Sequence, residues 1–252
     1  YIGEGATFLL LILFCAVFVY RAVKRQIKLS LQQQNFMMAV THELKTPVTI
    51  VRLNLETMQK RLLDEDTKKQ LLEKTIEETD RLNHLTHNIL VTSQLESGSY
   101  ILSKSEIDFS ELVTKAVIDF QKRFPGRTIK EYITADVLAE GEYNLLEMVV
   151  SNLMENATKY TPAASDISVT LKKNNGHIIL HVADFGAGIN DDEKKKIFEK
   201  FYRSGNENTR LAKGTGLGLY LCLKIVKDHK GKIAVTDNIP AGSIFTITMP
   251  AL

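Results

Sequence analysis

The sequence predicts an α plus α/β protein in three successive parts: an apolar helix, a helical hairpin and an α/β sandwich. Residues 5–20 carry no charge, which predicts a helix that crosses a membrane. Apolar residues then recur every three or four positions over residues 36–62 and again over 72–89, a spacing typical of amphipathic helices. Beyond residue 100, strand-like runs alternate with helical ones, which predicts a layered sandwich.

The apolar run of residues 5–20 is followed by the basic residues Arg21, Lys24, Arg25 and Lys28. This order is expected of a helix that crosses the cell inner (plasma) membrane and continues into the cytoplasm. Two alternatives stay open, a buried or amphipathic helix and a signal peptide, although a signal peptide carries its positive charges before the apolar core. Because the sequence opens on Tyr1 rather than Met, we expect further chain upstream, where an extracellular sensor would lie.

The two amphipathic stripes are separated by a short polar break at residues 63–67, which predicts an antiparallel helical hairpin. A single hairpin cannot bury two apolar stripes, whereas two copies bury them in a four-helix bundle. The pattern therefore predicts a homodimer.

Residues 42–47, His-Glu-Leu-Lys-Thr-Pro, lie on the first helix of this hairpin. Imidazole is a good nucleophile near neutral pH, since its unperturbed pKa is about 6.5. His42 falls off the apolar stripe, so we expect it to be accessible to solvent, with Glu43 holding the proton of its other ring nitrogen. Pro47 removes a hydrogen bond to the carbonyl of Glu43 and predicts a local bend.

The rest of the chain predicts a linker at residues 97–99 and then the sandwich. Its predicted strands are residues 101–103, 128–134, 167–172, 177–184, 232–236 and 243–249. Its predicted helices are residues 110–124, 144–160, 191–201 and 218–229.

The sandwich contains three groups of residues suited to a nucleotide. Asn152, Asn156 and Lys159 share one helix face, where amide oxygens suit Mg²⁺ and an ammonium suits a phosphate. Asp184 ends an apolar strand, and the glycines after it let the backbone approach a ligand. A third segment, residues 214–219, places glycines before a helix, which favours phosphate binding. Alone, each group is weak evidence: the first is compatible with a solvated helix face, and the glycine-containing groups are compatible with ordinary glycine turns.

The order and spacing of these motifs resemble the sensor histidine kinases of two-component systems, which join a HisKA dimerisation domain to a Bergerat-fold (GHKL) ATP-binding domain. The resemblance covers roughly residues 33–249. It implies a transmembrane segment at 1–20, a cytoplasmic connector helix at 21–35, a HisKA hairpin at 36–97 and a catalytic domain at 100–252. The motifs that carry it are an H-box at 42–47, an N-box at 152–160, a G1 box at 184–189, an F-box at 198–201 and a G2 box at 214–219.

The resemblance implies that His42 attacks the γ-phosphorus of ATP, with Glu43 as base and orienter, and that the phosphoryl group passes to an aspartate of a response regulator receiver domain. Asn156 would bind Mg²⁺, and residues 204–213 would form a mobile lid. The implied ATP-binding residues are Asn152, Asn156, Lys159, Tyr160, Asp184, Gly186, Gly188, Ile189, Phe201, Arg203, Gly214, Thr215, Gly216, Leu217, Gly218 and Leu219. Within this set Asp184 would accept the adenine amino group, Tyr160 would lie against the base, and Arg203 would reach a phosphate.

Thr46 lies one helical turn from His42. It resembles the residue that positions the hydrolytic water in family members that also dephosphorylate their partner. The alternative is that Thr46 only packs beside Pro47.

Three further alternatives for the function of the chain stay open. A phosphatase-dominant sensor would keep every motif, a scaffold would be expected to have lost Asn156 or Asp184, and a gyrase-type or chaperone-type ATPase has no need of His42.

Several classes of function gain no support from the sequence. A net charge of +2 does not favour nucleic-acid binding. Cys15 and Cys222 lack a metal-type spacing and indicate a reducing compartment, while His84 and His87 are expected on the surface. The connector is too short for the HAMP module that many family members carry. We therefore expect the membrane helix to continue directly into the helix that bears His42.

Overall fold

The first helix of the protein is unusually long. The computed structural model describes residues 2–163, 165–203 and 214–252, so the expected lid at 204–213 lies outside the described residues. Helix α1, Ile2–Lys60, contains 59 residues and continues through Pro47. The predicted continuity from the apolar run to the helix that bears His42 is confirmed.

The second helix starts at a well-formed cap and folds back along α1. The Asp64 side chain accepts a hydrogen bond from the Thr67 N–H at 2.7 Å, which satisfies one donor of the first turn of α2, Glu65–Ser97. Gly98 ends α2 with φ at +69°, a conformation that glycine adopts without strain. The predicted helical hairpin is therefore present.

The hairpin buries little apolar surface by itself. Its interior includes a polar contact, in which the Asn54 amide donates to the Thr75 hydroxyl at 3.2 Å. Many apolar side chains of both helices stay exposed to solvent, among them Val48, Leu53, Leu55, Leu72, Ile76 and Leu90.

In its described residues the sandwich contains two sheets and three α-helices. Strands β1, Ser105–Asp108, and β3, Leu138–Gly141, form an antiparallel pair. The larger sheet has the order β2-β4-β5-β7-β6, and its strands are Ile129–Ile133, Ile167–Asn174, His177–Ala183, Ser243–Pro250 and Lys232–Asp237 in that order. Strands β2 and β4 run parallel, and the other neighbours run antiparallel.

Three amphipathic helices supply the apolar side of the sandwich: α3, Phe109–Arg123, α4, Tyr143–Tyr160, and α5, Gly218–Asp228. Their buried side chains join alternate residues of the strands in one core, which includes Leu112, Leu153, Ile167, Leu180 and Leu221. All five of these side chains are 0% exposed. The predicted α/β class of this region is confirmed.

Three predicted details are wrong or missing. The strand expected at residues 101–103 lies at β1 instead, since Ile101 is 90% exposed and has nothing to pack against. Strand β3 was not predicted, because its Ala, Glu and Gly residues have low strand propensity. The helix expected at residues 191–201 consists of turns and a short 3₁₀ helix, Lys196–Phe198.

The last of these differences has a tertiary cause. Phe201 has φ at +65°, and its N–H donates to the carbonyl of Gly216 at 3.1 Å. This bond ties the F-box segment to the glycine segment that precedes α5, and it is incompatible with a helix that continues to residue 201.

The sandwich contacts the end of the hairpin that lies opposite the turn between α1 and α2. The rings of Phe36 and Phe201 stack with centroids 4.0 Å apart. Glu96, near the end of α2, accepts hydrogen bonds from Lys200 at 2.6 Å and from the Tyr220 hydroxyl at 2.9 Å. The sandwich therefore contacts both helices of the hairpin of its own chain.

Candidate active site

A cavity of about 690 Å³ lies between α2 and the sandwich. This volume falls within the range of about 300–1,000 Å³ that is usual for sites of small molecules and cofactors. Most of the residues that the sequence suggested for a nucleotide line it: Asn152, Asn156, Lys159, Tyr160, Asp184, Gly188, Ile189, Arg203, Gly214, Thr215, Gly216, Gly218 and Leu219.

Helix α4 forms one wall of the cavity. Its opposite face is buried in the core through residues such as Val149, Val150 and Leu153, which fixes the rotation of the helix. Asn152 and Asn156 therefore face the cavity together. The Asn152 amide nitrogen donates to the carbonyl of Met148 at 2.9 Å, which holds its side chain along the helix.

Lys159 brings a positive charge to this wall. The pKa of Lys159 is lowered to about 8, chiefly because the surrounding protein removes water from the ammonium group and secondly because of the charge of Arg203. A Cβ atom at Gly214 would lie 2.5 Å from the Lys159 ammonium nitrogen, so glycine leaves the room that this group occupies. An anion placed here would favour the charged form of Lys159.

Asp184 lies at the end of β5 and is 5% exposed. Its carboxylate accepts a hydrogen bond from the Gly186 N–H at 2.9 Å. Burial nevertheless raises the pKa of Asp184, because the charged form loses hydration. A buried carboxylate at the cavity wall is suited to a polar N–H donor such as an exocyclic amino group.

Glycines bring the backbone of the G2 segment close to its neighbours. A Cβ atom at Gly216, where φ is +72°, would lie 2.8 Å from the backbone carbon of Phe201. A Cβ atom at Gly218 would lie 2.8 Å from the Asn152 amide oxygen. Helix α5 begins here without a side-chain cap, so its first N–H groups are directed toward the cavity end of the helix and suit an anion.

Three residues of the suggested set lie outside the cavity lining. Leu217 is 1% exposed and belongs to the core. Gly186 lies beneath Tyr160, where a Cβ atom would be 2.3 Å from the Tyr160 carbonyl oxygen. Phe201 stacks on Phe36 instead of facing the cavity. These three residues shape the site through the backbone or through the hairpin.

The hairpin contributes Glu43 to the cavity, whereas His42 lies outside the lining. His42 is exposed, which confirms the expected accessibility. Glu43 is 9% exposed, and its carboxylate accepts a hydrogen bond from Arg81 of α2 at 3.0 Å. Adjacent helix residues point about 100° apart, so these two side chains leave α1 in different directions. In the described hydrogen bonds Glu43 is held by Arg81 rather than by His42.

Thr46 lies beside the backbone of His42. Its hydroxyl donates to the carbonyl of His42 at 3.1 Å. This bond is the usual one between a helical threonine and the preceding turn, and it keeps the hydroxyl close to the predicted phosphoacceptor.

The donor set of the cavity fits a magnesium nucleotide. Among the described residues, no cluster of three or more His, Cys, Asp and Glu side chains could hold a metal ion. A cation at this site would therefore be bound by the amide oxygen of Asn156 and by phosphate oxygens, which is the oxygen-rich coordination that Mg²⁺ prefers.

Comparison with known families gives two matches. Residues 32–98 match the His Kinase A (phospho-acceptor) domain, and residues 141–252 match the family of histidine kinase-, DNA gyrase B- and HSP90-like ATPases. The two matched regions correspond to the hairpin and to most of the sandwich.

Individual relatives agree with these matches. The sensor-like histidine kinase SenX3 of Mycolicibacterium smegmatis is 30% identical over 222 residues, which cover 86% of this chain and 57% of SenX3. The sensor protein SrrB of Staphylococcus aureus is 27% identical over 237 residues, which cover 93% of this chain and 41% of SrrB. The chain thus spans about half the length of these curated relatives.

A solved structure shows the same arrangement of helices and sheet. The Acinetobacter baumannii histidine kinase AdeS superimposes with a TM-score of 0.59 at 26% identity, covering 83% of this chain and 97% of AdeS.

Proposed function

Because the chain belongs to the family of sensor histidine kinases of two-component systems, we propose that it uses Mg-ATP to phosphorylate His42 and passes the phosphoryl group to an aspartate of a response regulator. The observation that carries this proposal is a single cavity lined by Asn156, Lys159, Asp184 and the G2 glycines on one side and by Glu43 on the other. The residues proposed to bind the nucleotide thereby share a cavity with Glu43, the residue that follows His42.

In the proposed reaction a lone pair of the His42 ring forms a bond to the γ-phosphorus as the bond to the bridging oxygen of ADP breaks. The proton on the other ring nitrogen passes to Glu43. Glu43 is bound by Arg81 in this structure, so we expect Arg81 to release it before it serves His42. Lys159 and Arg203 stabilise the charge on the phosphates, and Asp184 accepts the adenine amino group. Bound Mg²⁺ would be held by Asn156 and would neutralise phosphate charge.

The exposed apolar faces of α1 and α2 support a homodimer. A groove of about 600 Å³ on the hairpin is lined by four apolar side chains, Val48, Val51, Leu55 and Leu82, and by four polar or charged ones. Exposed apolar patches of this kind mark interaction surfaces. We infer that a second copy covers this groove and completes a four-helix bundle.

The start of α1 supports attachment to a membrane. Within the described residues, one helix is long and apolar enough to cross a bilayer, and its apolar window is 0% buried. Side chains such as Phe8, Leu11 and Phe14 are exposed. We infer that this segment crosses the inner membrane and that residues after about 20 lie in the cytoplasm, where basic residues follow the apolar run.

The proposed kinase is tested with the 252-residue chain in detergent micelles, incubated with Mg²⁺ and ATP labelled on the γ-phosphate. We expect a protein-bound label that is labile in acid and stable in alkali. His42→Gln should abolish the label while ATP binding persists, and Asn156→Ala should abolish it by removing the Mg²⁺ ligand. Hydrolysis of ATP without label on the protein would contradict the proposal and would favour an ATPase of the gyrase or chaperone type.

We infer a second activity, dephosphorylation of the response regulator, from the position of Thr46 one turn from His42. The Thr46 hydroxyl can hold a water molecule beside the phosphorylated aspartate of the partner. Thr46→Ala should keep labelling of His42 and lose the acceleration of regulator dephosphorylation, measured on a phosphorylated receiver domain. Equal dephosphorylation rates for the variant and the parent chain would contradict this role.

A further inference from the structure

The last turn of α4 is held by a side chain from another part of the sandwich. The final carbonyls of a helix lack donors within the helix and need partners elsewhere. Here three carbonyls at and just beyond the end of α4 receive hydrogen bonds from one guanidinium group, that of Arg127. The bonds run to the carbonyls of Thr158 at 2.8 Å, Thr161 at 2.8 Å and Pro162 at 2.7 Å.

Arg127 is itself fixed to rigid structure. Its N–H donates to the carbonyl of Phe124 at 2.9 Å, which closes the turn between α3 and β2. The carbonyl of Thr128 accepts the N–H of Ile167 at 3.0 Å, and Ile129 is buried. The guanidinium therefore connects the edge of the large sheet with the end of α4.

The chemistry of the side chain matters for this contact. A guanidinium group presents several N–H donors in one plane, which lets it bind more than one carbonyl at once. A lysine ammonium is a compact charge on a flexible chain and does not reproduce this fork.

The last turn of α4 is also the part of the helix that faces the nucleotide cavity. Lys159 and Tyr160 line the cavity and lie between the carbonyls that Arg127 binds. The Tyr160 carbonyl oxygen packs against Gly186, where a Cβ atom would be only 2.3 Å away. A shift of this turn would displace Lys159, Tyr160 and the loop that follows Asp184 together.

We propose that Arg127 is a positioning residue of the nucleotide site, which fixes the last turn of α4 and thereby the places of Lys159 and Tyr160. Arg127 is not among the residues that line the cavity. The consequence for ATP rests on the proposed function. Loss of positioning weakens ground-state and transition-state binding alike, so it raises KM more than it lowers kcat.

The test compares Arg127→Ala and Arg127→Lys with Lys130→Ala in the full chain in detergent micelles. Lys130 is a suitable control, because it lies three residues further on and is exposed. Its ammonium forms an ion pair with the Asp166 carboxylate at a distance of 2.5 Å, and neither residue lines the cavity. Two kinds of measurement are made: KM and kcat for labelling with ATP, and hydrogen exchange without nucleotide of the backbone N–H groups in residues 157–163, where Pro162 has none.

For Arg127→Ala we expect faster exchange confined to residues 157–163 and a rise in KM of about tenfold, equivalent to about 1.4 kcal/mol. Added guanidinium chloride at millimolar concentration should restore part of the affinity. Arg127→Lys should keep the charge yet recover little of the positioning, and Lys130→Ala should change neither quantity.

Unchanged exchange and unchanged KM in Arg127→Ala would overturn the proposal. Faster exchange throughout the sheet, with loss of kcat and no rescue by guanidinium, would also overturn it, because it would show a general role in stability. If the parent chain gives no label, the proposed kinase function fails, while the exchange of residues 157–163 and the binding of a fluorescent ATP analogue still decide the role of Arg127.

Discussion

The hairpin and the sandwich differ in how much of their apolar surface each buries within one chain. In the sandwich, large side chains of α3, α4, α5 and the sheet are fully buried. In the hairpin, apolar side chains such as Leu55 and Ile76 are about half exposed, at 50% and 54%. The sandwich therefore has what a stable domain needs within one chain, whereas the hairpin needs a further partner to bury its apolar surface. Completion of a core and assembly with a partner are thus separate properties of two parts of the molecule.

The largest expected effect comes from a matched pair of leucines. Leu153 is 0% exposed in the sandwich and Leu53 is 62% exposed on the hairpin. Leu153→Ala should lower the free energy of unfolding of the sandwich by about 3 kcal/mol, because it removes buried contacts and leaves a cavity. Leu53→Ala should leave this transition unchanged. Denaturant unfolding followed by tyrosine fluorescence measures both, since the chain has no tryptophan. Equal losses in the two variants would contradict the contrast.

The second prediction concerns the partner of the hairpin. Leu55→Glu should raise the dissociation constant of the proposed homodimer about a hundredfold, equivalent to about 2.7 kcal/mol, because it places a charge in the proposed apolar interface. Sedimentation of the detergent-solubilised chain measures the dissociation constant.

The control for this prediction is Gln70→Glu, which adds the same charge at an exposed polar position of α2. It should leave the dimer intact, and both variants should bind ATP as the parent chain does. A monomeric parent chain, or equal effects of the two substitutions, would contradict the proposed interface.

The same contrast explains which features could be predicted from the sequence. Helices α1 to α5 follow from periodic apolar residues, and the cavity residues Asn152, Asn156 and Lys159 follow from their spacing on one helix. Strand β3 could not be predicted, because three of its four residues have low strand propensity and leave no local signal. Its existence depends on pairing with β1.

Two arginines that hold residues of the site could not be predicted, for a related reason. Arg81 binds Glu43 across 38 positions of the sequence, and Arg127 binds carbonyls that are 31 to 35 positions away. Each looks like an ordinary basic residue in its local context. Only the fold shows which acceptors they meet, so spacing arguments cannot find them.

The third prediction is a dependence on pH that belongs to the sandwich alone. His229 is 4% exposed; its Nδ1 lies 2.8 Å from the carbonyl of Ile225, and its Nε2 accepts the Glu142 N–H at 3.0 Å. Burial lowers the pKa of His229 below its ordinary 6.5, and nearby Lys104 lowers it further, whereas the Ile225 carbonyl, Asp228 and Glu142 act in the opposite direction.

Because the folded state disfavours the proton, the contribution of His229 to stability is fully present above pH 6.5 and is lost as the pH falls toward the lowered folded pKa. We expect the free energy of unfolding to fall by about 1 kcal/mol, which is the contribution of a typical buried hydrogen bond. Unfolding of the parent chain and of His229→Gln at pH 7.5 and pH 5.5 measures it. His177→Gln serves as the control, because His177 is an exposed histidine of the larger sheet, and its stability difference from the parent should stay constant with pH. A stability difference between parent and His229→Gln that stays constant with pH would contradict this account.

The smallest expected effect lies at the contact between the two regions. Phe36 and Phe201 form a stacked pair, which contributes about 0.5–1.5 kcal/mol beyond the area it buries. The ion pair of Lys28 with Glu199 at 3.3 Å is exposed on both sides, with relative side-chain exposures of 62% and 45%. Such pairs contribute about 0–1 kcal/mol and weaken with salt. Contact between hairpin and sandwich should therefore depend more on the aromatic stack than on the charges.

Phe36→Ala should broaden the distribution of distances between spin labels at residues 60 and 172, one at the end of α1 and one on β4, in a chain that carries Cys15→Ser. Lys28→Ala should leave this distribution unchanged, and neither variant should alter the affinity for ATP. A distribution that broadens with Lys28→Ala or with added salt, and not with Phe36→Ala, would show that charges hold the sandwich against the hairpin. An unchanged distribution in both variants would assign the contact to Glu96, which accepts from Lys200 and Tyr220 at the end of α2.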